Sequence, residues 1–437
     1  MTEEIGRLRD KFVSIWEAAN PEATIDGPPY TPDMQTRHEA ELAAFVDVLA
    51  DESHRIRRRR LIRDDSERRV LAAFSRFAVG ALGWTRHATE GPVPNGFREA
   101  LRAFPVQSRR FDPSIPSADI YQAARNALTM HCLQSLLGVP VESTPAVLGY
   151  SLLYPYTDNL LDDRELDLAS KLAFGQRLAG RLRGCDVRPA DGREARIFQL
   201  VGMIESQFPR GRYPRVFDSL LAIHDAQLRS LELLATPMPP SPRTMIEIAV
   251  EKGGTSVLAD GYLVTGSLTP RQAECIFGLG VFLQLRDDLE DVNDDAAVGL
   301  MTVFSAHRAG RLDEPTARAL GIGAAVLERL DCFDSAQAAP VRDIMARSLQ
   351  LTLADAAASF PALYGAPYLH ALERRSPFRF ACLAEHRRRL SRANGSLTGL
   401  LERWVGAAEA PANAVAGVPA PNPGPPGIPQ EAAAARR

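Results

Sequence analysis

Apolar residues recur every three or four positions along most of this chain, which is the spacing of one face of an α-helix. Alternating β-branched positions are scarce, and clusters such as Pro239-Pro240-Ser241-Pro242 separate the periodic stretches as turns. The pattern predicts an all-α protein, most simply one large helical bundle around a single core. The predicted helices are residues 37–51, 66–83, 117–138, 145–163, 167–183, 194–207, 214–235, 243–266, 270–295, 314–331, 338–359 and 378–406.

The remaining stretches have a different character. Residues 1–36 are predicted to be an N-terminal extension, partly loop, that precedes a helical domain of residues 37–408. The segments 20–35 and 85–116 are rich in Pro and Gly, which predicts surface loops. Residues 409–437 are rich in Ala, Pro and Gly and carry too little apolar area to pack, so this tail is expected to be disordered.

Composition narrows the class of protein without naming a function. A chain of 437 residues can bury a large core, and its net charge of −3 gives no signal for nucleic-acid binding. Five Cys are scattered without a Cys-x-x-Cys pair, which fits a reducing, cytoplasmic location. The N-terminus has no basic region followed by an apolar run, so no secretory signal is expected. No long uncharged apolar stretch predicts a transmembrane span.

Two acidic clusters stand at the ends of predicted apolar helices. The first is Asp158-Asn159-Leu160-Leu161-Asp162-Asp163, and the second runs from Asp287 to Asp295. Residues four apart share one face of a helix, so each cluster forms an acidic stripe. The turns before the second cluster are almost wholly apolar, which indicates a buried helix rather than a solvated acidic one.

Stacked carboxylates repel one another, so a buried helix that ends in them needs a counter-ion. Mg²⁺ takes oxygen ligands and is usually bound by carboxylates together with substrate phosphates. We therefore expect two facing helices to hold Mg²⁺ and, through it, a diphosphate group. The expected ligands are Asp158, Asp162, Asp163, Asp287, Asp288, Asp291 and Asp295.

The residues around the second cluster resemble a known motif. Residues 278–292 read Gly-Leu-Gly-Val-Phe-Leu-Gln-Leu-Arg-Asp-Asp-Leu-Glu-Asp-Val, which resembles the second aspartate-rich helix of trans-isoprenyl diphosphate synthases. The segment is also similar to the matching helix of squalene synthases. Asp287, Asp291 and Asp295 can equally be laid on the metal triad of terpene cyclases. The first cluster has the Asp-x-x-x-Asp spacing of the first metal motif of this superfamily, so residues 120–310 resemble a class I isoprenoid synthase.

The resemblance implies roles for further residues. Trans-prenyltransferases carry a Lys-Thr pair on a kinked helix just before the second cluster, and residues 251–256, Glu-Lys-Gly-Gly-Thr-Ser, are similar. Lys252 would then bind diphosphate oxygen, and the two Gly would mark a kink or a close backbone approach. Arg164 and Arg286 flank the clusters and either share the diphosphate charge or act as exposed counter-charges. The predicted pocket residues are Tyr154, Tyr156, Thr255, Ser256, Phe282 and Gln284.

The function implied by the resemblance is ionisation of an allylic prenyl diphosphate with the help of three Mg²⁺ ions. Elongating synthases carry a Gly-Lys-Arg patch before the first cluster, whereas the nearest basic pair here is Arg109-Arg110. Their usual Arg-Arg after the first cluster is reduced to Arg164. These departures favour a terpene synthase, although the usual Arg of the cyclase effector region is missing beside Asp260-Gly261.

Three alternatives stay open beside the terpene synthase. They are chain elongation, head-to-head condensation as in squalene synthases, and a catalytically silent relative that only binds diphosphate. Phe282-Leu283-Gln284 and Leu289-Glu290-Asp291 suggest the head-to-head branch. The sequence leaves the product skeleton, the substrate chain length and a homodimeric state undetermined.

Overall fold

The helices of this chain are numerous and of ordinary length. The computed structural model describes residues 1–59, 64–90, 92–161, 166–233, 239–307 and 311–392, and no β-strand occurs among them. The predicted all-α class is therefore confirmed. The α-helices are α1 (Thr2–Ala18), α2 (Pro32–Arg59), α3 (Asp64–Ala81), α4 (Arg86–Glu90), α5 (Pro92–Phe111), α6 (Ser117–Leu136), α7 (Pro145–Leu161), α8 (Leu168–Leu182), α9 (Gly192–Gln207), α10 (Pro214–Ser230), α11 (Pro242–Thr265), α12 (Pro270–Glu290), α13 (Val292–Val298), α14 (Asp313–Leu327), α15 (Ala338–Ala357), α16 (Ala366–Arg374) and α17 (Phe380–Arg392).

Helices α11 and α12 form the centre of the bundle. Both are buried on nearly every side, which marks a core helix rather than an amphipathic surface helix. Helices α6, α7 and α10 surround α11, and α14 and α15 pack against α12. Each central helix begins with an N-cap hydroxyl followed by Pro, and Thr269 forms a full capping box with Gln272.

Glycines bring α11 and α12 into backbone contact. A Cβ atom on Gly253 would stand 2.5 Å from the Gly280 carbonyl oxygen, and a Cβ on Gly280 would overlap the Gly253 carbonyl. A Cβ on Gly254 would overlap the Phe277 ring. Helix α11 continues unbroken through this pair, so the glycines serve the close approach rather than a kink.

Substituting Gly253 by Ala is expected to destabilise the fold by about 1–3 kcal/mol or more, because backbone atoms of α12 cannot move aside cheaply. Gly6 in α1 is the matched control, since nothing lies within 4 Å of a Cβ placed there. Gly6→Ala is expected to stabilise the protein by about 0.5–1 kcal/mol through helix propensity alone. Urea unfolding of both variants measures the difference, and equal midpoints would contradict the packing role of Gly253.

The N-terminal segment belongs to the main core. Residues 1–36 were expected to form an extension, but α1 lies against α11, α12 and α14. Phe12 is fully buried and packs on Gly278 and the Phe277 ring. Further along α1, Arg318 of α14 donates to the Trp16 carbonyl at 2.8 Å. The apolar residues of α1 are spaced three and four apart, so the same periodicity predicts this helix.

The segment 85–116, predicted as a loop, is largely helical. It contains α4 and the twenty-residue helix α5. Pro92 is the first residue of α5, where the missing N–H is no loss. Pro105 lies inside α5, so the loop prediction for this segment gave too much weight to its proline content. Pro155 likewise lies inside a helix, α7, within the predicted helix 145–163. Apolar periodicity overrode the local preference of proline at both places.

A second layer lies beside the central bundle. Helices α2, α3 and α17 enclose small apolar clusters of their own, with Phe45 stacked on Phe77 at 5.3 Å between ring centroids. Residues 393–437, including the predicted tail 409–437 and the second half of the predicted helix 378–406, lie outside the described residues.

Two further findings concern the chain as a whole. Over the described ranges, no helix is long and apolar enough to cross a bilayer. All five Cys are free thiols, as expected from their scattered positions.

Candidate active site

Asp158 lies on the last turn of α7, where α7 runs beside the first half of α6. The Gln122 side-chain amide donates to Asp158 Oδ2 at 3.1 Å, and Asn126 Nδ2 donates to Ser151 Oγ at 3.2 Å. These two bonds show that α6 and α7 are antiparallel, because the later residue on α6 meets the earlier one on α7.

Helix α6 links the two acidic clusters. Gln122 contacts Asp158, and Arg125, one turn further along, lies 3.8 Å from Asp287 Oδ1. The Arg125 and Asp287 side chains are 60% and 50% exposed, so this ion pair is open to solvent. Both clusters therefore lie at the same end of the bundle, as the sequence predicts.

Sequence reasoning missed Gln122 and Arg125. Residues Gln122, Arg125 and Asn126 share one face of α6, while Ile120 and Ala123 on the other faces are buried. A polar stripe on an otherwise buried helix is the signal that could have found them.

The second cluster spans a break between two helices. Helix α12 ends at Glu290, Asp291 has φ −93° and ψ 8°, and α13 begins at Val292, where one helix to residue 295 was predicted. Acidic side chains at a helix C-terminus oppose the helix dipole, and no basic residue stands in the last turn of α12. The Asp291 N–H still bonds the Asp287 carbonyl at 2.9 Å, and the Asp295 N–H bonds the Asp291 carbonyl at 2.8 Å. Asp287, Asp291 and Asp295 therefore remain on one side.

The carboxylates of this cluster outnumber the cationic side chains beside them. Burial raises the pKa of Asp288 to about 7, although Lys252 opposes the shift. Burial, followed by repulsion from Asp291, raises the pKa of Asp295 to about 6. Burial and then Asp287 raise the pKa of Asp291 as well. An added cation would relieve this repulsion, and carboxylate oxygens are the kind of ligand that Mg²⁺ takes.

Lys252 of α11 interacts with the second cluster. Its ammonium opposes the upward pKa shifts of Asp288, Asp291 and Asp295, which indicates that it lies near these carboxylates. Thr255, one turn further along α11, donates to the Glu251 carbonyl at 2.7 Å. Gln284 donates to Asp288 Oδ1 at 2.7 Å and so belongs to the acidic end.

Tyr154 lies one turn below Asp158 on α7. Its hydroxyl bonds Ser256 Oγ of α11, and the Tyr150 hydroxyl lies 3.3 Å away. This contact crosses from α7 to α11 beneath the acidic end of the bundle. On its other side Tyr154 borders a cavity of about 50 Å³ between α7, α8 and α10. The residues lining it are Tyr150, Leu153, Tyr154, Thr157, Leu178, Leu182, Leu220, Ile223, His224 and Gln227.

Other predicted site residues lie elsewhere. Tyr156 points to the far side of α7, where its hydroxyl donates to Asp112 Oδ2 at 2.5 Å. Phe282 is fully buried against Gly323 of α14 and serves core packing. Arg286 pairs with Glu290 one turn along its own helix.

Three of the predicted site residues, Asp162, Asp163 and Arg164, lie outside the described residues. Within the described ranges, no group of three or more His, Cys, Asp or Glu side chains converges on a single point.

The raised pKa values predict how stability depends on pH. An unfolded Asp titrates near pKa ~3.9. In the folded protein the pKa is about 7 for Asp288 and about 6 for Asp295. At pH values between these and the pKa of an unfolded Asp, the folded protein therefore binds more protons than the unfolded chain. The free energy of unfolding should therefore fall as pH rises from about 4 to about 7. We expect a lower melting temperature at pH 8 than at pH 5, and a smaller difference in Asp288→Asn. A melting temperature that rises over this window would contradict the placement of these carboxyls.

Comparisons with known proteins yield remote similarity to solved structures alone. No protein-family model matches the chain, and no curated protein matches it significantly. Among solved structures, the chain is similar to a polyprenyl synthetase from Streptomyces coelicolor A3(2), with 14% sequence identity and a TM-score of 0.28. The match covers 67% of this chain and 97% of that one. At this TM-score the similarity carries no argument about the fold or the function of the chain.

Proposed function

We propose that this protein is a Mg²⁺-dependent class I isoprenoid synthase that ionises an allylic prenyl diphosphate, and that it is a terpene synthase. The observation that carries the proposal is the meeting of Asp158, Lys252 and the Asp287–Asp295 stripe at one end of the bundle. Carboxylates with raised pKa values, a Lys among them and an Arg beside them form a site suited to a metal-bound anion.

Each residue of the site has a separate task in this proposal. Bound Mg²⁺ would act as a Lewis acid on the leaving oxygens and as a template for the diphosphate. Lys252 would stabilise the negative charge that develops on the leaving group. Gln122 and Arg125 offer N–H donors between the two clusters, and Arg125 is exposed enough to turn from Asp287 toward a diphosphate. Tyr154 and Ser256 would close the space below the allylic carbon.

The terpene synthase branch needs one diphosphate site, whereas elongation needs two. The basic pair nearest to an elongation patch is Arg109-Arg110 on α5. Arg109 already donates to the Ile115 carbonyl and, at 3.1 Å, to Ser117 Oγ, so it holds the loop between α5 and α6. This engagement favours the branch with a single substrate.

Incubation with geranyl, farnesyl and geranylgeranyl diphosphate tests the proposal. Diphosphate release should require Mg²⁺ and should occur without isopentenyl diphosphate, with hydrocarbon or alcohol products. Longer diphosphates that form only with the five-carbon unit would instead establish elongation. Binding of inorganic diphosphate with Mg²⁺ but without turnover of any substrate would establish the silent relative.

A further inference from the structure

Polar side chains recur once per turn along one face of α11, from the acidic end into the interior of the bundle. Lys252, Ser256 and Asp260 lie four residues apart and so share one face of α11. At a helical rise of about 1.5 Å per residue, Asp260 lies about 12 Å along α11 from Lys252. This depth corresponds to the hydrocarbon part of a substrate whose diphosphate is held at the acidic end.

Helices α6 and α7 add hydroxyl and amide groups at the same depth. The Tyr154 hydroxyl bonds Ser256, and the Tyr150 hydroxyl lies 3.3 Å from that of Tyr154. Asn126 donates to Asp260 Oδ1 at 3.3 Å. The interior at this depth is therefore polar on α6, α7 and α11.

Asp260 is the unusual member of this group. It is fully buried, and its Oδ2 atom has no hydrogen-bond partner among the described residues. Burial raises its pKa well above the ordinary range, and the amide of Asn126 only partly opposes the shift. The Asp260 carboxyl therefore keeps one hydrogen-bonding position unused in the interior. Such a position is costly unless a ligand or an ordered water fills it.

The hydroxyl groups lie close to this unused position. Ser256 lies one turn before Asp260 on the same face of α11, and the Tyr154 hydroxyl bonds Ser256 Oγ. Burial first, and the Asp260 carboxyl second, raise the pKa of the Tyr154 hydroxyl, in accord with this placement. Tyr154 and Ser256 keep their protons at neutral pH and can both donate and accept hydrogen bonds. A buried water typically makes about three hydrogen bonds to such groups. Asp260 and the two hydroxyls supply that number.

We propose that Asp260, Tyr154 and Ser256 bind a water molecule at the floor of the site and that this water quenches the carbocation, so that the product is an alcohol. The inference rests on the proposed function and adds the product class to it. In the quenching step a bond forms between the water oxygen and the cationic carbon. A water O–H bond breaks, and its proton is relayed through the Tyr154 and Ser256 hydroxyls to the released diphosphate, which is a base at the acidic end.

The test measures diphosphate release and product composition in water enriched in oxygen-18. The wild type should yield an alcohol that carries the label. Asp260→Leu removes the anchor while keeping a side chain of the same branching, and it should lower the alcohol fraction per diphosphate released at least tenfold in favour of hydrocarbon. Tyr154→Phe should lower the same fraction by a smaller factor and serves as the second variant if Asp260→Leu does not fold.

Thr316→Val is the matched control, because it removes a buried hydroxyl that bonds Tyr364 at 2.8 Å in another part of the bundle. It should leave both readouts unchanged. An unlabelled hydrocarbon from the wild type, with diphosphate released, would overturn the inference and leave the proposed function intact. An unchanged alcohol fraction in Asp260→Leu would overturn it as well. The absence of diphosphate release from every substrate would overturn the proposed function, and the inference with it.

Discussion

Asp287→Ala is expected to lower Mg²⁺-dependent diphosphate release by a factor on the order of 10²–10³, the size seen when one preorganised electrostatic contact is lost. Asp287 lies between Arg125 and the other carboxylates of its stripe, and repulsion from it contributes to the raised pKa of Asp291. Its loss should therefore leave the protein folded and slightly more stable. Asp158→Ala should reduce turnover similarly, since Asp158 is the described member of the opposite cluster.

Asp331→Ala is the control for these two variants. Asp331 is an exposed carboxylate that pairs with Arg271 at 2.8 Å on the surface, away from the acidic end. It should keep the wild-type rate and melting temperature, because exposed ion pairs contribute little to stability. Rates near wild type in either Asp287→Ala or Asp158→Ala would refute the metal-site assignment. Release of diphosphate and melting curves, measured on all three variants, separate loss of function from loss of fold.

Tyr154→Ala is expected to shift substrate preference toward longer prenyl chains, with the rate ratio of geranylgeranyl to farnesyl diphosphate rising about tenfold, the scale of selectivity that small changes in pocket volume produce. The ring lines the cavity of about 50 Å³ between α7, α8 and α10, and under the proposed function the space for the prenyl chain below Asp158 lies on its other face. Removing it would join the two spaces. Leu178, Leu182 and Leu220 would then supply an apolar wall for the additional isoprene unit.

Two controls isolate the effect of the ring. Tyr154→Phe keeps the ring and loses only the hydroxyl contact with Ser256, so its chain-length preference should stay unchanged. Tyr156→Ala removes an equal volume from the far side of α7, where Tyr156 contacts Asp112, and should cost stability without changing selectivity. If Tyr154 only packs the core, Tyr154→Ala should cost roughly 3–5 kcal/mol with no new preference. A folded variant with the wild-type rate ratio would refute the floor assignment.

These variants also connect the chain-length floor to the proposed quenching water. Tyr154 contributes a ring that closes the space and a hydroxyl that faces Ser256. The ring is expected to determine which substrate fits, and the hydroxyl is expected to affect which product leaves. Tyr154→Phe separates the two, because it should change the product and leave the substrate preference as it is.

Local features of the site could be predicted from the sequence because they depend on spacing along one helix. The four-residue repeat of Asp287, Asp291 and Asp295 puts them on one side, and their hydrogen-bonded backbone keeps them there across the break at Asp291. The separate faces of Tyr154 and Tyr156 follow from the same rule, since residues two apart do not share a face. Placing both in one pocket overlooked that rule.

The sequence by itself determined the all-α class, most of the helices and the acidic ends of α7 and α12, because hydrophobic periodicity and charge repulsion act over a few residues. Only the tertiary structure decided that α6 lies between the clusters, bringing Gln122 to Asp158 and Arg125 to Asp287. It also decided that Phe282 faces α14 and that Asp260 lies fully buried beside Asn126. These outcomes depend on which helices pack together and on how closely they approach. The glycine contact between α11 and α12 sets the distance between those two helices. Burial and the resulting pKa shifts are properties of the packed bundle, so spacing along the chain could not predict them.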